Sequence, residues 1–330
     1  MRAPSAAGSP ASVLRRALAF VGPFAALALV VLLFAALAPD RFVTAYNLRT
    51  VATQTVTVGL GATGMTLVIV SGGIDLSVGS VIALSSVVTA VLLRAGIAPL
   101  AAALGGVVVG AGFGALNGVL VTALGIVPFI VTLGTMGIAR GLAKYLADEQ
   151  KVDANAAWLS SLMEKTPEPS WLLFAPGVWL MIVLAVGTSV VLRRTVFGVH
   201  LTAVGSSEPT ARLSGLRVER IKVAVYALGG FFAGLAGVLQ FGRLTVGDPT
   251  TALGKELDVI AAVVIGGGSL SGGSGGVLGS MIGAFLMAVL SNGCTLTGVP
   301  NYVQEIIVGT IIVAAVGIDG FRRRRARESA

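Results

Sequence analysis

Ten apolar runs, at 17–38, 50–70, 76–93, 99–123, 128–146, 171–192, 223–242, 258–268, 276–293 and 302–319, dominate the sequence. A helix crosses the hydrocarbon core of a bilayer in about 20 residues. Lipid offers no partner for backbone N–H and C=O groups, so only helices and closed barrels span it. Runs of this length therefore predict an all-α, polytopic integral membrane bundle of about ten transmembrane spans. Charge supports the reading, because only 12% of residues are charged and mean hydropathy is +0.93, whereas a soluble domain carries about 25% charged residues. The eighth run is too short to cross unaided and leads into a glycine-rich stretch, Gly266 to Gly276. Non-helical backbone at that depth has to be buried in protein or line a wet cavity, so re-entrant or broken helices are expected.

Charge also orients the bundle. Arg2, Arg15, Arg16, Arg193, Arg194, Arg212, Arg217, Arg220, Lys222, Arg322, Arg323, Arg324, Arg325 and Arg327 would share one side of a ten-span bundle. Asp40, Asp148, Glu149, Asp153, Glu164, Glu168, Asp248, Glu256 and Asp258 gather on the other. The positive-inside rule then places both termini and the loop 193–222 in the cytoplasm, with 147–170 and 243–257 facing outward. The division is a cytoplasmic tail at 1–16, a transmembrane domain at 17–319 and a basic cytoplasmic tail at 320–330. The first run exceeds the roughly 7–15 apolar residues of a signal-peptide core, which predicts a retained span.

Several chemistries find no support. The net charge of +8 sits at span ends, as membrane orientation requires, and implies no nucleic-acid partner. His200 and Cys294 are the only residues of their types, too few for a metal cluster. Gly59-Leu60-Gly61-Ala62-Thr63-Gly64 spells a dinucleotide fingerprint but lies inside an apolar span with no preceding strand. Gly272-Gly273-Ser274-Gly275-Gly276 spells a nucleophile elbow without a strand or an accessible histidine partner. No Walker-type phosphate loop occurs, so ATP is not expected to be bound by this chain.

Glycines at intervals of four form smooth ridges: Gly106, Gly110, Gly114 and Gly118 in one span, Gly230 and Gly234 in another, Gly275, Gly279 and Gly283 in a third. Small residues so spaced let helix backbones approach in lipid. They read as packing surfaces, with sliding during transport the other possibility. Asp75 lies between two apolar runs with no basic residue nearby, where a carboxylate is costly unless paired or wet. It reads either as a helix cap or as part of the translocation path. Asn117 and Asn292 each precede a glycine near a span end, and Pro128 with Phe129 starts a span in which Thr132 and Thr135 follow. Asp75, Asn117, Pro128, Phe129, Thr132 and Asn292 are the candidates for the path or its gate. The pairs Gly72-Gly73 and Gly267-Gly268 hint at related halves, although the spacings to Asn117 and Asn292 differ.

In the loop 193–222, Gly205-Ser206-Ser207-Glu208-Pro209-Thr210-Ala211-Arg212-Leu213-Ser214-Gly215 predicts a short helix. Ser207 caps it, Pro209 suits its first turn, Glu208 complements its dipole and Gly215 ends it. So short a helix is unstable alone and needs a partner surface.

The segments Gly72 to Ser80, Asn117-Gly118, Pro128 to Thr135, Ala211 to Gly215, Glu256 to Gly267 and Asn292-Gly293 together resemble the ribose/xylose/galactose family of ABC sugar permeases, in order and spacing from about 47 to 319. Ser206-Ser207 and Pro209 depart from the family's usual residues, and 243–255 is less typical. The resemblance implies the permease subunit of an ATP-driven importer in the bacterial cytoplasmic (inner) membrane. Its implied partners are a second permease copy, cytoplasmic ABC ATPases that use the ATP, and a periplasmic or lipid-anchored sugar-binding protein. It further implies that Gly205, Glu208, Ala211, Arg212, Leu213, Ser214 and Gly215 form the coupling helix seated on the ATPase. The alternatives are an ion-coupled secondary transporter working alone, a channel, and a branched-chain amino-acid or urea permease.

Overall fold

The computed structural model describes residues 10–328, with side chains from 21 to 317 apart from 170 and 315. Residues 1–9 of the predicted amino-terminal tail lie outside the described residues. The order is α1 (Pro10–Leu37), α2 (Pro39–Phe42), α3 (Ala45–Val70), α4 (Val78–Arg94), α5 (Pro99–Leu124) and α6 (Pro128–Leu146). Then come α7 (Pro176–Arg194), α8 (Val196–Ser206), α9 (Glu208–Leu213), α10 (Val218–Leu244), α11 (Lys255–Ile265), α12 (Val277–Leu296) and α13 (Asn301–Glu328). Each of the ten apolar runs falls on a helix. The sixth starts later than its run, at Pro176, and α13 continues through the apolar run into the basic tail.

Among the described residues, five helices, α3, α5, α7, α10 and α12, are long and apolar enough to cross a membrane. Their surroundings differ: the apolar window of α3 is 94% buried, against 28% for α5 and 22% for α7. Protein encloses α3 while α5 and α7 present leucines and valines outward, Leu104, Val108, Val183 and Val186 among them. A helix surrounded by helices needs small residues and satisfied hydroxyls. Thr55, Thr63 and Thr66 of α3 donate to the carbonyls of Val51, Gly59 and Ala62 at 2.8, 2.8 and 2.6 Å, the local bond that lets threonine sit inside a buried helix. The glycines of the dinucleotide-like string have packing partners instead of a nucleotide. A methyl on Gly59 would come within 2.5 Å of Met181 Sδ, on Gly61 within 2.8 Å of Val259, and on Gly64 within 3.0 Å of the Gly229 Cα. Three glycines thus admit α7, α11 and α10.

Two of the ridges meet each other. Gly110 faces Gly234, Gly114 faces Gly230, and Gly118 faces the Val223 backbone, where an added methyl would lie 2.5, 2.8 and 2.6 Å from the opposing Cα atoms. Backbone-to-backbone contact makes α5 and α10 the most extensive helix pair of the bundle. The third ridge packs α12 on α11, with Gly283 against Ala262 and Gly279 against Gly266.

Non-helical backbone gathers at the two ends and in the segment between α3 and α4, where Asn117 of α5 and Tyr226 of α10 reach Ser77 and Ile74 from within the bundle. At one end, Val152–Asp153 (β1) pairs antiparallel with Val246–Gly247 (β2), tying together the two segments predicted to share the outward side. Lys151 lies 3.5 Å from Asp248 beside this pair, and Arg140 Nη1 donates to the carbonyls of Pro249 and Thr251 at 2.8 and 2.9 Å.

Candidate functional site

At the opposite end, predicted to be cytoplasmic, α9 forms as its residues dictate. Ser207 accepts from the Thr210 amide at 3.4 Å, and Pro209 occupies the first turn. At the far end the Gly215 amide bonds the Arg212 carbonyl at 2.9 Å and the Leu216 amide bonds the Ala211 carbonyl at 3.1 Å. Gly215 has φ +82°, so this is the two-bond glycine stop for which a side chain is strained. Ala211 is buried and packs with Val204 and Val218 in a small apolar cluster, which supplies part of the surface so short a helix needs. Leu213, by contrast, is 90% exposed.

Charge fixes the helix on its chain. Glu208 Oε1 accepts from Arg212 Nη2 at 2.8 Å and Glu208 Oε2 from Lys222 Nζ at 2.5 Å, while Arg212 Nη1 also pairs with Glu219. Partial burial pushes the Glu208 carboxyl up, but the hydrogen bonds and charges of Lys222 and Arg212 outweigh it and hold the group below the usual carboxylate range. Glu208 therefore does more than complement a dipole: it joins α9 to the first turns of α10. Lys222, counted in the sequence only as a charge, and Glu219, not singled out there, are part of the site. The loop 193–222 also contains an unforeseen helix, α8, capped by Thr195, which accepts from the Gly198 amide at 3.4 Å.

Directly before α9, Gly205 ends α8 against the membrane core. A methyl on Gly205 would overlap the Val70 carbonyl and come within 2.7 Å of the Gly273 amide nitrogen. That amide donates to the Val70 carbonyl at 2.9 Å, and Gly72 and Gly272 lie against the same point. Three chain segments, the end of α3, the end of α8 and the glycine-rich loop 266–276, thus share one joint that only glycines can fill. The paired glycines prove alike in their bonds. Gly72 and Gly73 close α3 with amides to Ile69 and Val68 at 2.9 and 2.9 Å, and Gly267 and Gly268 close α11 with amides to Val264 and Val263 at 3.0 and 2.8 Å.

Next to the joint lies Asp75, 5% exposed. Its Oδ1 accepts from the Ser77 amide at 2.8 Å and the Ser77 hydroxyl at 2.6 Å, so it shapes the turn that opens α4. Asn117 Nδ2 of α5 donates to Ser77 Oγ at 2.9 Å. Thr132 of α6 donates to the Ile74 carbonyl at 3.2 Å, and Tyr226 of α10 to the same oxygen at 3.4 Å. One turn, Ile74 to Ser77, is therefore held by α5, α6 and α10 together. Tyr226 went unnoticed in the sequence, although a tyrosine amid an apolar run needs a partner for its hydroxyl.

The remaining candidates lie elsewhere. Pro128 starts α6 and its carbonyl accepts from Thr132 at 3.0 Å, whereas Phe129 points out of the bundle, 46% exposed. Asn292 is buried near the other end of α12 with its Oδ1 unbonded, and the neighbouring Gly293 leaves room for the Phe34 ring of α1. Asp75, Asn117 and Thr132 are brought together; Phe129 and Asn292 are not part of that cluster.

Residues 47–316 match the family described as "Branched-chain amino acid transport system / permease component". The chain belongs to this permease family. It is 39% identical over 300 residues to the ribose import permease protein of Bacillus subtilis (strain 168), covering 91% of this chain and 92% of that one. It is 35% identical to the D-allose transport system permease protein of Escherichia coli (strain K12), covering 90% of each. It is 37% identical to the L-arabinose ABC transporter permease protein of Azospirillum brasilense, covering 88% of this chain and 84% of that one. No solved structure matches the chain. The permease is a multi-pass membrane protein and a transport component, as the apolar helices and the family agree.

Proposed function

We propose that this permease is the membrane-spanning subunit of an ATP-driven sugar importer in the bacterial cytoplasmic membrane, with both termini and α9 on the cytoplasmic side. The observation that carries the coupling half of this reading is α9 itself. It is a six-residue helix stopped at both ends, anchored by Ala211 and Glu208 on one side, with Leu213 exposed on the other. A helix so short, only half covered by its own chain, needs a further surface to hold it, which a groove of a second protein supplies. Similarity to ribose, allose and arabinose permeases favours a sugar over an amino acid as cargo, and an ion-coupled carrier working alone gives α9 no role.

In this mechanism the cytoplasmic ATPases bind and hydrolyse ATP, and this chain holds no cofactor. Two permease copies stand side by side. Closure of the ATPases displaces each α9. The Glu208–Lys222 contact passes the displacement to α10, and the joint at Gly205 passes it to α3 and the loop 266–276. The turn at Ile74 to Ser77, tied to α5, α6 and α10, makes these helices move as one body. The path then opens outward to take sugar from a docked binding protein.

The test is co-expression with a cytoplasmic ATPase and a sugar-binding protein encoded beside it. The reading predicts a complex that purifies whole and hydrolyses ATP faster when the binding protein carries one of D-ribose, D-allose or L-arabinose. A permease that purifies alone and leaves hydrolysis unchanged contradicts it.

A further inference from the structure

The middle of α3, the end of α10, the start of α11 and the later turns of α12 enclose a cavity of about 170 Å³ lined by polar and apolar groups in similar measure. Thr57, Gln240, Arg243, Lys255, Asp258 and Ser291 all face it. It continues into a wider cleft of about 630 Å³ beside α13, which shares Lys255, Asp258 and Ser291. By the liquid volume of water the inner cavity holds roughly five or six molecules, the scale of one monosaccharide ring.

The groups are arranged, not scattered. Gln240 and Arg243 are three apart on the last turns of α10, and Lys255 and Asp258 are three apart on the first turn of α11, so each pair shares a helix face. Thr57 donates to Gln240 Oε1 at 3.0 Å, and Gln240 Nε2 donates to Thr251 Oγ1 at 3.0 Å. The amide is thereby oriented, with one lone pair and one N–H left for another partner. Thr251 is fixed in turn by Arg140, which holds its carbonyl at 2.9 Å. Lys255 Nζ pairs with Asp258 Oδ2 at 2.6 Å. Arg243 is the anomaly: its Nε is buried without a hydrogen-bond partner. Unbonded buried donors are costly, and ionised side chains within a membrane bundle mark ligand paths.

We infer that this cavity is the acceptor site for the cargo, taking a neutral polyhydroxylated ring, with Arg243 and Gln240 as its principal contacts and Arg140 as a positioning residue that holds the roof. Hydroxyl groups both donate and accept, as does this lining: Arg243 and Lys255 donate, Asp258 accepts, Gln240 does both. Among the described residues the lining contains no aromatic ring, so the ring is held through polar contacts and released readily, as a path requires. The inference rests on the importer reading above and gives it a residue-level site.

The experiment is ATP-driven uptake by the complete importer in vesicles, with D-ribose, D-allose and L-arabinose as probes, read as sugar delivered per ATP hydrolysed. For Gln240→Leu and Arg243→Gln the ratio falls by about fivefold to tenfold, the scale of one or two lost hydrogen bonds. Arg140→Gln lowers the ratio less. A merely structural role lowers uptake and hydrolysis in step and leaves the ratio alone, so a ratio within about twofold of wild type in both cavity variants overturns the site. If the wild-type complex delivers none of the three sugars per ATP, the importer reading itself fails, and that is visible before any variant is made.

Discussion

Glu208 Oε2 and Lys222 Nζ lie 2.5 Å apart although fourteen residues separate them, and their contact, with that of Arg212 and Glu219, links the exposed helix α9 to the long helix α10. Exposed pairs contribute only about 0.2–1 kcal/mol each, so the network's value is in transmitting position more than in stability. Glu208→Gln combined with Arg212→Ala is predicted to leave membrane insertion intact while ATP-driven uptake falls about tenfold. Uptake and inserted protein measured on the same vesicles check this.

The same carboxylate carries a pH prediction. Lys222 and Arg212 hold Glu208 below its ordinary range. A depressed carboxylate contributes stability that is fully present above its unfolded value of about 4.3 and is lost as pH falls through the lower folded value. Hydrogen exchange at the amides of α9 should therefore show the same opening free energy at neutral and mildly acidic pH, with loss of protection only once the pH falls below that unfolded value.

Glycine positions on one helix separate packing from propensity. A methyl on Gly114 would overlap the Tyr226 carbonyl and lie 2.8 Å from the Gly230 Cα, whereas Gly112 has nothing within 4 Å. Gly114→Ala is predicted to cost about 1–3 kcal/mol through overpacking, and Gly112→Ala to be neutral or stabilising by up to about 1 kcal/mol through helix propensity. Thermal unfolding in detergent measures both.

Gly205→Ala should break the joint under α9, since the methyl has only the Val70 carbonyl and the Gly273 amide to displace. The predicted cost is about 1–3 kcal/mol, and ATP hydrolysis no longer responds to the sugar-loaded binding protein. An ATPase assay with and without that protein reads the response.

Asp75 gives a contrast between cap and carrier. Asp75→Ala leaves the buried amide and hydroxyl of Ser77 without their acceptor, a loss of about 1–3 kcal/mol. Asp75→Asn keeps an acceptor oxygen and should retain most uptake. Equal loss in both variants, measured as uptake per inserted protein, would point instead to a carboxylate that carries charge.

The long helices were legible because an apolar run is a local property that lipid imposes residue by residue. The stop at Gly215 and the cap at Ser207 were legible for the same reason, as each is set within a few residues. What could not be read was the company these elements keep. Nothing local links Lys222 to Glu208, Tyr226 to Ile74 or Gly205 to Val70, and α8 was hidden because a helix of eleven residues lacks a span's signal. Asn117 and Asn292 looked equivalent in sequence, each before a glycine. In the fold one joins the cluster around Ser77, while the other sits at the far end of α12 beside a glycine that admits Phe34.

The most direct measurement is accumulation of labelled sugar by vesicles containing the permease, its ATPase and its loaded binding protein, with ATP on the cytoplasmic side and all ion gradients collapsed by ionophores. Uptake that requires ATP and persists without gradients is the predicted result. Uptake by the permease alone, abolished by the ionophores and indifferent to ATP, would contradict the account.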